Sequence, residues 1–595
     1  MTLQTVITRD SSYLRWQALA FVAIVAVFLY LSGQLTAPFV AGDDWGSLVP
    51  ASQQGGQALP WINTLAEGRW INYLWYQVVV HLSGRTAFAL FIVAYVVATG
   101  IIASFVSDKR LFLLCALALF FSPMISELSL WPAGMFSGMA LCGIALFTLA
   151  RLEDRFYPVT LFMAAFALVM AYPPLASVVF IGAVAGQAKP TVKSNIILAV
   201  TFLLAFATSA LFIYAVNAMF HGYFGVKVAT WRNPHPLRSM ADLGANLQMA
   251  AENWHSLARR YRMPIACTGV ASLLLLLRRE ARARGLSLIF ALAICWCVAI
   301  GTSVIAGVGE PGRSLVWLWV AACLMCALVA SQRLPINRYS GVALLLVLMV
   351  SGGAFSWHNY RRYRPIIAYV SMLGEVVHEY QGTYGHPTVS IAGSLSDIPA
   401  ILTLPGGHWP MPGLKWIMWK EYGIQIQRCG YSTCTSARQY LLSHNMRRAT
   451  LLQLDGKPVL AVNQYRVREI LRNYPSEQQQ VALHLSYPTI LQYETDAVRI
   501  TPFYPGTSKI PVSIALPPAE RGYSLHSEDK ACAYPVDYKI TDSKGTQLAA
   551  GQYRSPSVIT INTSKQSGDF ALLSLQMATA AKNNYACNMV VAAVH

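Results

Sequence analysis

Long apolar runs, separated by short polar connections, follow one another from Gln17 to Trp357 and restrict what this chain can fold into. A membrane-spanning helix needs about 20 predominantly apolar residues, because the hydrocarbon core of a bilayer is about 30 Å thick. Only 12% of the 595 residues are charged, against about 25% in a soluble domain. A soluble globular fold is therefore excluded, and we predict an α-helical polytopic membrane domain. Eleven runs are candidate spans: residues 17–35, 87–106, 111–124, 133–150, 156–171, 174–187, 194–218, 263–277, 286–305, 314–330 and 339–357.

The sequence changes character after residue 357, where the apolar runs stop. Polar sequence with Gly and Pro turns and alternating, strand-like stretches follows. We predict two domains: a multi-span membrane domain over 1–357, with about 11 transmembrane helices, and a soluble α/β to mainly-β domain over 358–595. A strand is expected over residues 388–393, and a hairpin from residues 449–454 and 458–462 around Asp455-Gly456-Lys457.

Basic residues recur in every second connection between the apolar runs, and this alternation predicts the topology. Connections rich in Lys and Arg face the cytoplasm, although long loops such as residues 219–263 follow this rule poorly. The N-terminus is then cytoplasmic and the C-terminal domain extracytoplasmic. The first run is longer than the apolar core of a signal peptide, so we predict an uncleaved anchor. The basic connections contain Lys109, Arg110, Arg151, Arg155, Lys189, Lys193, Arg278, Arg279, Arg282, Arg284, Arg333 and Arg338.

The formal net charge of +18 would suggest a nucleic-acid partner in a soluble protein. Here much of the basic excess lies in the short connections, so it reflects membrane topology, and no nucleic-acid partner is predicted.

Eleven cysteines divide between the two domains. Seven lie in or beside apolar runs, where cysteine behaves as a small apolar residue. The other four lie in the predicted extracytoplasmic domain, where disulfides persist. We favour the pairs Cys429–Cys434 and Cys532–Cys587, with four free thiols as the alternative. A zinc site is less favoured because these four cysteines lack paired C-x-x-C spacing and His partners.

An adjacent pair of carboxylates, Asp43 and Asp44, follows the first apolar run and precedes Trp45. Two acids side by side at a membrane surface repel each other and lose solvation, which raises the pKa of one of them. A carboxylate tuned in this way suits a general base. The alternative is structural: Asp44 would cap a helix that starts at Trp45.

An aromatic stretch, Glu67-Gly68-Arg69-Trp70-Ile71-Asn72-Tyr73-Leu74-Trp75-Tyr76, precedes the second apolar run. Trp and Tyr concentrate at the level of lipid headgroups, so this stretch predicts an interfacial helix. Arg69 would contact a phosphate or anchor the helix at the membrane surface.

These features resemble the GT-C integral-membrane glycosyltransferases, and among them the phage-type O-antigen glucosyltransferase family. The resemblance rests on Asp43-Asp44 in the first external loop, the Gly68-Arg69-Trp70 element, Tyr172-Pro173-Pro174 after the fifth run and Gly309-Glu310-Pro311-Gly312-Arg313 before the tenth. It covers roughly residues 1–357. The chain departs from the family in its C-terminal domain of about 238 residues, and in Pro173, where Gln is commoner.

The resemblance implies a bacterial inner-membrane enzyme that transfers a sugar from a polyprenyl-phosphate donor to an extracytoplasmic acceptor, with inversion at the anomeric carbon. The acceptor would be O-antigen, lipopolysaccharide or another surface glycan, or an exported protein such as a pilin. Neither a cofactor nor a metal would be required. The sequence holds no glycine-rich nucleotide-binding motif between a strand and a helix, as expected for a lipid-linked donor.

In this scheme Asp43 or Asp44 is the catalytic base. Arg313, with Arg69 and either Arg232 or Arg238, would hold the phosphate, because a planar guanidinium matches phosphate oxygens. Glu127 would bind the acceptor or a sugar hydroxyl, or would be a solvated loop residue. Trp131 would stack on a sugar or anchor its loop. The substrate-binding candidates are Arg69, Trp70, Glu127, Trp131, Tyr172, Arg232 and Arg313.

The connection from His221 to Arg262 holds Arg232 and a predicted amphipathic helix over residues 240–261. It would cover the donor groove or lie on the membrane surface.

Two other classes of protein remain as alternatives. A flippase or transporter of lipid-linked saccharides would carry its functional charges near the bilayer midplane and would show internal repeats. Here the acidic candidates lie in external loops. A structural anchor rarely needs eleven spans.

Overall fold

The computed structural model carries side chains and divides into two compact units, Met1–Arg361 and Arg362–His595, which are described separately. The structure describes residues 3–36, 38, 40–106, 108–229, 232, 234–384, 388–392, 411–428, 450–454, 457–461, 481–486, 489–493, 497–502, 512–516, 522–527, 536–542, 546–554, 557–562, 571–577 and 589–594.

The first unit is a helical bundle. Pro123, Pro132 and Pro173 each stand in the first turn of a helix, where proline lacks only an N–H that has no partner in the helix. The helices are α1 (Leu3–Leu31), α2 (Leu59–Glu67), α3 (Trp70–Val79), α4 (Gly84–Ser104), α5 (Phe112–Phe120), α6 (Pro123–Leu128), α7 (Pro132–Arg151), α8 (Tyr157–Val169), α9 (Pro173–Gly186), α10 (Val192–His221), α11 (Met240–Arg260), α12 (Arg262–Leu276), α13 (Arg279–Ala306), α14 (Val316–Ala330) and α15 (Pro335–Tyr384), whose residues after Arg361 belong to the second unit.

Within the described residues, seven helices are long and apolar enough to cross a membrane. The chain is therefore a polytopic membrane protein. All eleven predicted runs are helical, but α5, with nine residues, is too short to cross a bilayer at 1.5 Å per residue. The count of eleven spans remains a prediction. The seven are Tyr13–Leu31, Gly84–Ser104, Pro132–Arg151, Val192–His221, Arg279–Ala306, Gly312–Ala330 and Pro335–Arg361.

The apolar residues of the bundle fall into an inner and an outer set. Phe180 and Phe202 stack with ring centroids 4.8 Å apart, and buried Trp319 donates from Nε1 to the Ala118 carbonyl at 2.8 Å. Val93 and Leu211 are 61% and 62% exposed. Exposed apolar side chains on membrane-spanning helices contact the lipid hydrocarbon, so the outer set forms the lipid-facing surface.

The connections that the charge alternation assigns to one side meet each other. At one end of the bundle, Ala41 N–H donates to the Leu130 carbonyl at 2.7 Å, and His235 N–H donates to the Gly307 carbonyl at 3.2 Å. At the other end, Asn195 Nδ2 donates to Ser287 Oγ at 2.7 Å. The long basic connection before α12 thus shares an end with the segment before α14. We call the end that contains Ala41, Leu130 and Gly307 the acidic-pair end, because Asp43 and Asp44 lie in the same connection as Ala41.

The described residues of the second unit form three sheets, in agreement with the prediction of an α/β to mainly-β domain. The first, of order β2-β1-β4-β3, pairs β1 in parallel with both β2 and β4, whereas the other two sheets are antiparallel. The predicted hairpin is confirmed, since β3 and β4 pair antiparallel. The elements are β1 (Thr388–Ala392), α16 (Met411–Tyr422), β2 (Gln425–Arg428), β3 (Thr450–Leu454), β4 (Lys457–Ala461), β5 (Val481–Ser486), β6 (Thr489–Tyr493), β7 (Ala497–Pro502), β8 (Val512–Leu516), β9 (Gly522–Ser527), β10 (Val536–Asp542), β11 (Gln547–Tyr553), β12 (Ile559–Asn562), β13 (Ala571–Met577) and β14 (Met589–Val594).

The four cysteines predicted to form disulfides, Cys429, Cys434, Cys532 and Cys587, lie outside the described residues.

Candidate functional site

The two aspartates after α1 have different surroundings. Asp44 is 4% exposed and begins a 3₁₀ helix, Asp44–Ser47. Its Oδ2 accepts from Ala133 N–H at 2.8 Å, and its Oδ1 accepts from Gly134 N–H at 2.7 Å. The carboxylate therefore caps the N-terminus of α7, where free N–H groups and the helix dipole favour an acid. The sequence analysis expected Asp44 to cap a helix that starts at Trp45. Asp44 caps α7 instead, so that expectation is wrong about the helix.

Burial raises the pKa of Asp44 to about 8, because the ionised form loses its water, and the two backbone N–H bonds act against this rise. The nearby Asp43 charge adds to the rise. One acid of the pair therefore has a raised pKa, as the sequence predicts, and burial contributes more to it than repulsion does.

Asp43 is the exposed member of the pair. Its Oδ1 accepts a hydrogen bond from Trp131 Nε1 at 2.6 Å. The Arg313 guanidinium carbon lies 4.5 Å from the centroid of the Trp131 ring, in cation–π geometry. Trp131 thus joins a carboxylate and a guanidinium that are 270 positions apart in the sequence. We call Asp43, Trp131 and Arg313 the acid–indole–arginine array.

Arg313 lies in a 3₁₀ helix, Gly312–Leu315, at the start of the α14 span. The described residues provide it with no ion pair within 4 Å, although it acts electrostatically on Glu67 and Glu127. A Cβ at position 312 would collide with the Tyr261 hydroxyl, so glycine permits this close packing. The half-buried guanidinium is available to an incoming anion.

Glu67 holds the other two predicted phosphate-binding arginines. Arg69 Nε lies 2.5 Å from one carboxylate oxygen, and a terminal nitrogen of Arg232 lies 2.8 Å from the other. Burial acts to raise the pKa of Glu67, but the nearby guanidinium groups, including that of Arg313, outweigh it and lower the pKa. Glu67, an acid that the sequence analysis did not select, therefore offsets one of the two positive charges of Arg69 and Arg232.

Gly68 makes this arrangement possible. It follows the last residue of α2 in the left-handed conformation, with φ of +71°, and Arg69 immediately precedes α3. A Cβ at Gly68 would approach the Ile213 side chain to 2.9 Å. The tight turn at Gly68 brings the Glu67 and Arg69 side chains together. The motif Glu67-Gly68-Arg69 could therefore have predicted this ion pair.

Tyr172 lies beside the same group. It is 4% exposed and its ring centroid is 5.8 Å from the Arg69 guanidinium carbon. Burial raises the pKa of its hydroxyl, while Arg313 and the neighbouring Ser314 hydroxyl act to lower it. Within the described part of the chain, this hydroxyl forms no hydrogen bond of normal geometry. A buried phenol without such a bond suits an incoming oxygen atom.

Glu127 is held from the opposite side. Arg260, at the end of α11, forms an ion pair with it, and the Tyr261 hydroxyl donates to the same oxygen at 3.3 Å. Burial raises the pKa of Glu127, while Arg260 and Arg313 act to lower it. The interpretation as a solvated loop glutamate is therefore wrong: this side chain fastens α6 to α11. Arg260 and Tyr261 are a further pair that the sequence analysis did not select.

Trp70 lies in an aromatic cluster with Trp61, Tyr73 and Phe220. Its Nε1 donates to Asn217 Oδ1 at 2.9 Å. This ring joins α3 to α10 by packing and a hydrogen bond, which is a structural placement. It is the predicted substrate-binding residue with the least direct connection to the array.

The predicted amphipathic helix over residues 240–261 is confirmed as α11. Asn253 binds the loop before α14 from both directions, since its Nδ2 donates to the Glu310 carbonyl and its Oδ1 accepts from Glu310 N–H. Burial raises the pKa of the Glu310 side chain. α11 therefore positions the segment that carries Arg313.

Among the described residues, no group of three or more His, Cys, Asp and Glu side chains has the geometry of a metal site. The independence from metals and cofactors remains a prediction.

Comparison with known proteins leaves the site to be interpreted from its own geometry: no family model, curated protein or solved structure matches this chain.

Proposed function

We propose that this chain is a GT-C-type membrane glycosyltransferase that moves a sugar from a polyprenyl-phosphate donor to an extracytoplasmic acceptor hydroxyl. The acid–indole–arginine array is the observation that carries the proposal. It places an exposed carboxylate and a guanidinium on the same indole ring, and this guanidinium has no ion pair among the described residues. A proton acceptor and an anion binder side by side are what this reaction requires.

The chemistry is a single displacement. The acceptor hydroxyl attacks the anomeric carbon while Asp43 takes its proton, and the bond between that carbon and the phosphate oxygen breaks. The electron pair of that bond stays on the lipid phosphate, which leaves as an anion and needs no general acid. Arg313 stabilises the charge that develops there through charge-assisted hydrogen bonds. Attack from the face opposite the phosphate inverts the anomeric centre.

Asp44 has a structural role in this proposal. It is buried, and each of its oxygens accepts a backbone N–H. By holding the first turn of α7, it positions the preceding Trp131. Asp43 is therefore the base, and Asp44 supports the residue that orients it.

The remaining candidates complete a phosphate pocket. Arg69 and Arg232, held by Glu67, line the approach to Arg313, and the Tyr172 hydroxyl donates to a phosphate oxygen. Trp131 presents its ring to the sugar, and aromatic rings stack on sugar faces. Glu127, positioned by Arg260, contacts the acceptor.

The decisive experiment is sugar transfer from a synthetic polyprenyl-phosphate sugar by the purified full chain. We expect Asp43→Asn to lower turnover about 10²–10⁴-fold, the usual contribution of a general base, with donor binding retained. Glu252→Gln is the matched control, because Glu252 is an exposed acid on α11 outside the array. Full turnover in Asp43→Asn would remove the proposed base. Donor movement across vesicles without transfer would favour the flippase alternative.

Orientation is tested separately. We propose that the acidic-pair end and the second unit face the periplasm of a bacterial inner membrane, with the N-terminus in the cytoplasm. Measured against the labelling of the native cysteines in the parent chain, Ser52→Cys, at the acidic-pair end, should add reaction with a membrane-impermeant thiol reagent from outside, and Lys189→Cys should not. The reverse pattern would place the base in the cytoplasm and would exclude an extracytoplasmic acceptor.

A further inference from the structure

A cavity lies at the end of the bundle opposite the acidic-pair end. It encloses about 430 Å³ of empty space, open mouth included. It lies where α4, α9 and α14 end and α13 begins, whereas Tyr172 and Arg313 stand at the other ends of α9 and α14. It therefore belongs to a different site. Its lining residues are Phe105, Val106, Val184, Ala185, Arg284, Leu288, Leu324, Leu328 and Ser331.

The lining is apolar apart from two residues. Seven of the nine side chains are aliphatic or aromatic, Ser331 supplies a hydroxyl, and Arg284 is the one charged residue of the set. A terminal nitrogen of Arg284 lies 3.4 Å from the Ala188 carbonyl, which holds the half-buried guanidinium at the cavity. Guanidinium has five N–H donors and binds phosphate in two-point geometry. This combination suits an amphiphile with one apolar chain segment and an anionic head.

The surroundings of the cavity are strongly basic. The five connections at this end, over residues 106–112, 151–156, 187–195, 278–285 and 331–338, carry 12 Lys and Arg but only 4 Asp and Glu. Connections with this bias face the cytoplasm, and the cytoplasmic leaflet carries a negative surface potential from its anionic lipids. The field therefore concentrates anionic headgroups at the mouth of the cavity.

We propose that this cavity binds an anionic phospholipid of the cytoplasmic leaflet, with the phosphate on Arg284 and part of one acyl chain between α4, α9, α13 and α14. The basic connections attract the lipid without selecting a position, while Arg284 and the apolar walls define one site. This inference stands apart from the proposed transferase activity, since it involves neither the acid–indole–arginine array nor its substrates.

The test is lipid binding by the purified full chain, measured by native mass spectrometry and by titration with vesicles of phosphatidylglycerol or phosphatidylcholine. We expect Arg284→Gln to weaken phosphatidylglycerol binding about tenfold or more, as a lost charge-assisted hydrogen bond implies. Arg279→Gln is the matched control: it removes the same charge from the same helix, but Arg279 is exposed and does not line the cavity. The affinity of the Arg279→Gln chain for phosphatidylglycerol should stay within about twofold of that of the parent chain.

A second variant tests the apolar part and keeps the proposal falsifiable if Arg284→Gln fails to fold. Ala185→Leu places extra carbon atoms in the cavity without altering charge, and should also reduce phosphatidylglycerol retention. Equal losses of phosphatidylglycerol affinity in Arg279→Gln and Arg284→Gln would show that the effect comes from diffuse surface electrostatics. That result would overturn the proposed site. Unchanged binding in Ala185→Leu, or equal binding of phosphatidylcholine, would overturn it as well.

Discussion

Substituting the two adjacent aspartates one at a time should separate chemistry from folding. Asparagine at position 43 keeps an oxygen that accepts the Trp131 indole N–H but cannot take a proton from an acceptor. Asparagine at position 44 keeps one acceptor and replaces the other with an NH₂ group that faces a backbone N–H. We expect Asp43→Asn to lose activity without losing stability. Above about pH 8, where Asp44 is ionised, we expect Asp44→Asn to lose stability first.

The magnitudes follow from the contacts. Loss of a general base lowers turnover about 10²–10⁴-fold, and exposed Asp43 contributes little to the free energy of unfolding. Asp44 accepts from both Ala133 and Gly134 in a buried position. Losing one of these bonds costs about 0.5–2 kcal/mol as a helix cap, and an unsatisfied buried N–H costs about 1–3 kcal/mol. These two figures describe one loss, so about 1–3 kcal/mol is expected.

Both variants are compared with the parent chain in two measurements: transfer from a polyprenyl-phosphate sugar, and thermal unfolding in detergent followed by intrinsic fluorescence. The reasoning predicts opposite patterns in the two measurements. It is refuted if Asp44→Asn has the parent unfolding midpoint and no turnover while Asp43→Asn turns over normally. That result would make the buried aspartate the base.

Three further predictions concern the charged groups around the array. Arg313→Lys should keep a positive charge but lose two-point phosphate geometry, raising the donor KM about tenfold with a smaller change in kcat; an unchanged KM would contradict the phosphate role. Tyr172→Phe should weaken donor binding by about 1 kcal/mol without lowering the unfolding midpoint, because the lost hydroxyl has no hydrogen bond of normal geometry among the described residues. Glu67 has a lowered pKa, so its contribution to stability is present above its ordinary pKa and is lost as the pH falls through the folded-state value. The midpoint difference between the parent chain and Glu67→Gln should therefore shrink below about pH 4, and a constant difference would contradict the ion pairs.

Local sequence rules predicted the elements of this fold well. Apolar runs of helical length became helices, and the hairpin around Asp455-Gly456-Lys457 was predicted from its turn chemistry and is confirmed in its strands. The alternation of charge grouped the connections that meet at each end of the bundle. Each of these signals is contained in about 25 residues or in a simple count of basic side chains. Adding or removing one apolar or basic residue would not have changed these signals.

The partners of the charged residues could not be predicted by such rules. Asp44 was a good helix-cap candidate because aspartate commonly precedes a helix, yet the helix it caps begins 88 residues later. Arg232 meets Glu67 across 165 positions. A helix presents its charges in a known direction, but which helices are neighbours is decided by packing over the whole bundle.

The sequence analysis grouped Arg69, Arg232 and Arg313 as phosphate-binding candidates without showing which of them has an acidic partner, and the structure makes them unequal. Arg69 and Arg232 share the charge of Glu67, whereas Arg313 has no ion pair among the described residues. A phosphodiester carries one negative charge. Arg69, Arg232 and Arg313 together with Glu67 carry a net charge of +2, and in the proposed reaction the lipid phosphate gains a second negative charge as it leaves. In the proposed transferase, Glu67 would therefore set how much positive charge the arginines present to the donor phosphate.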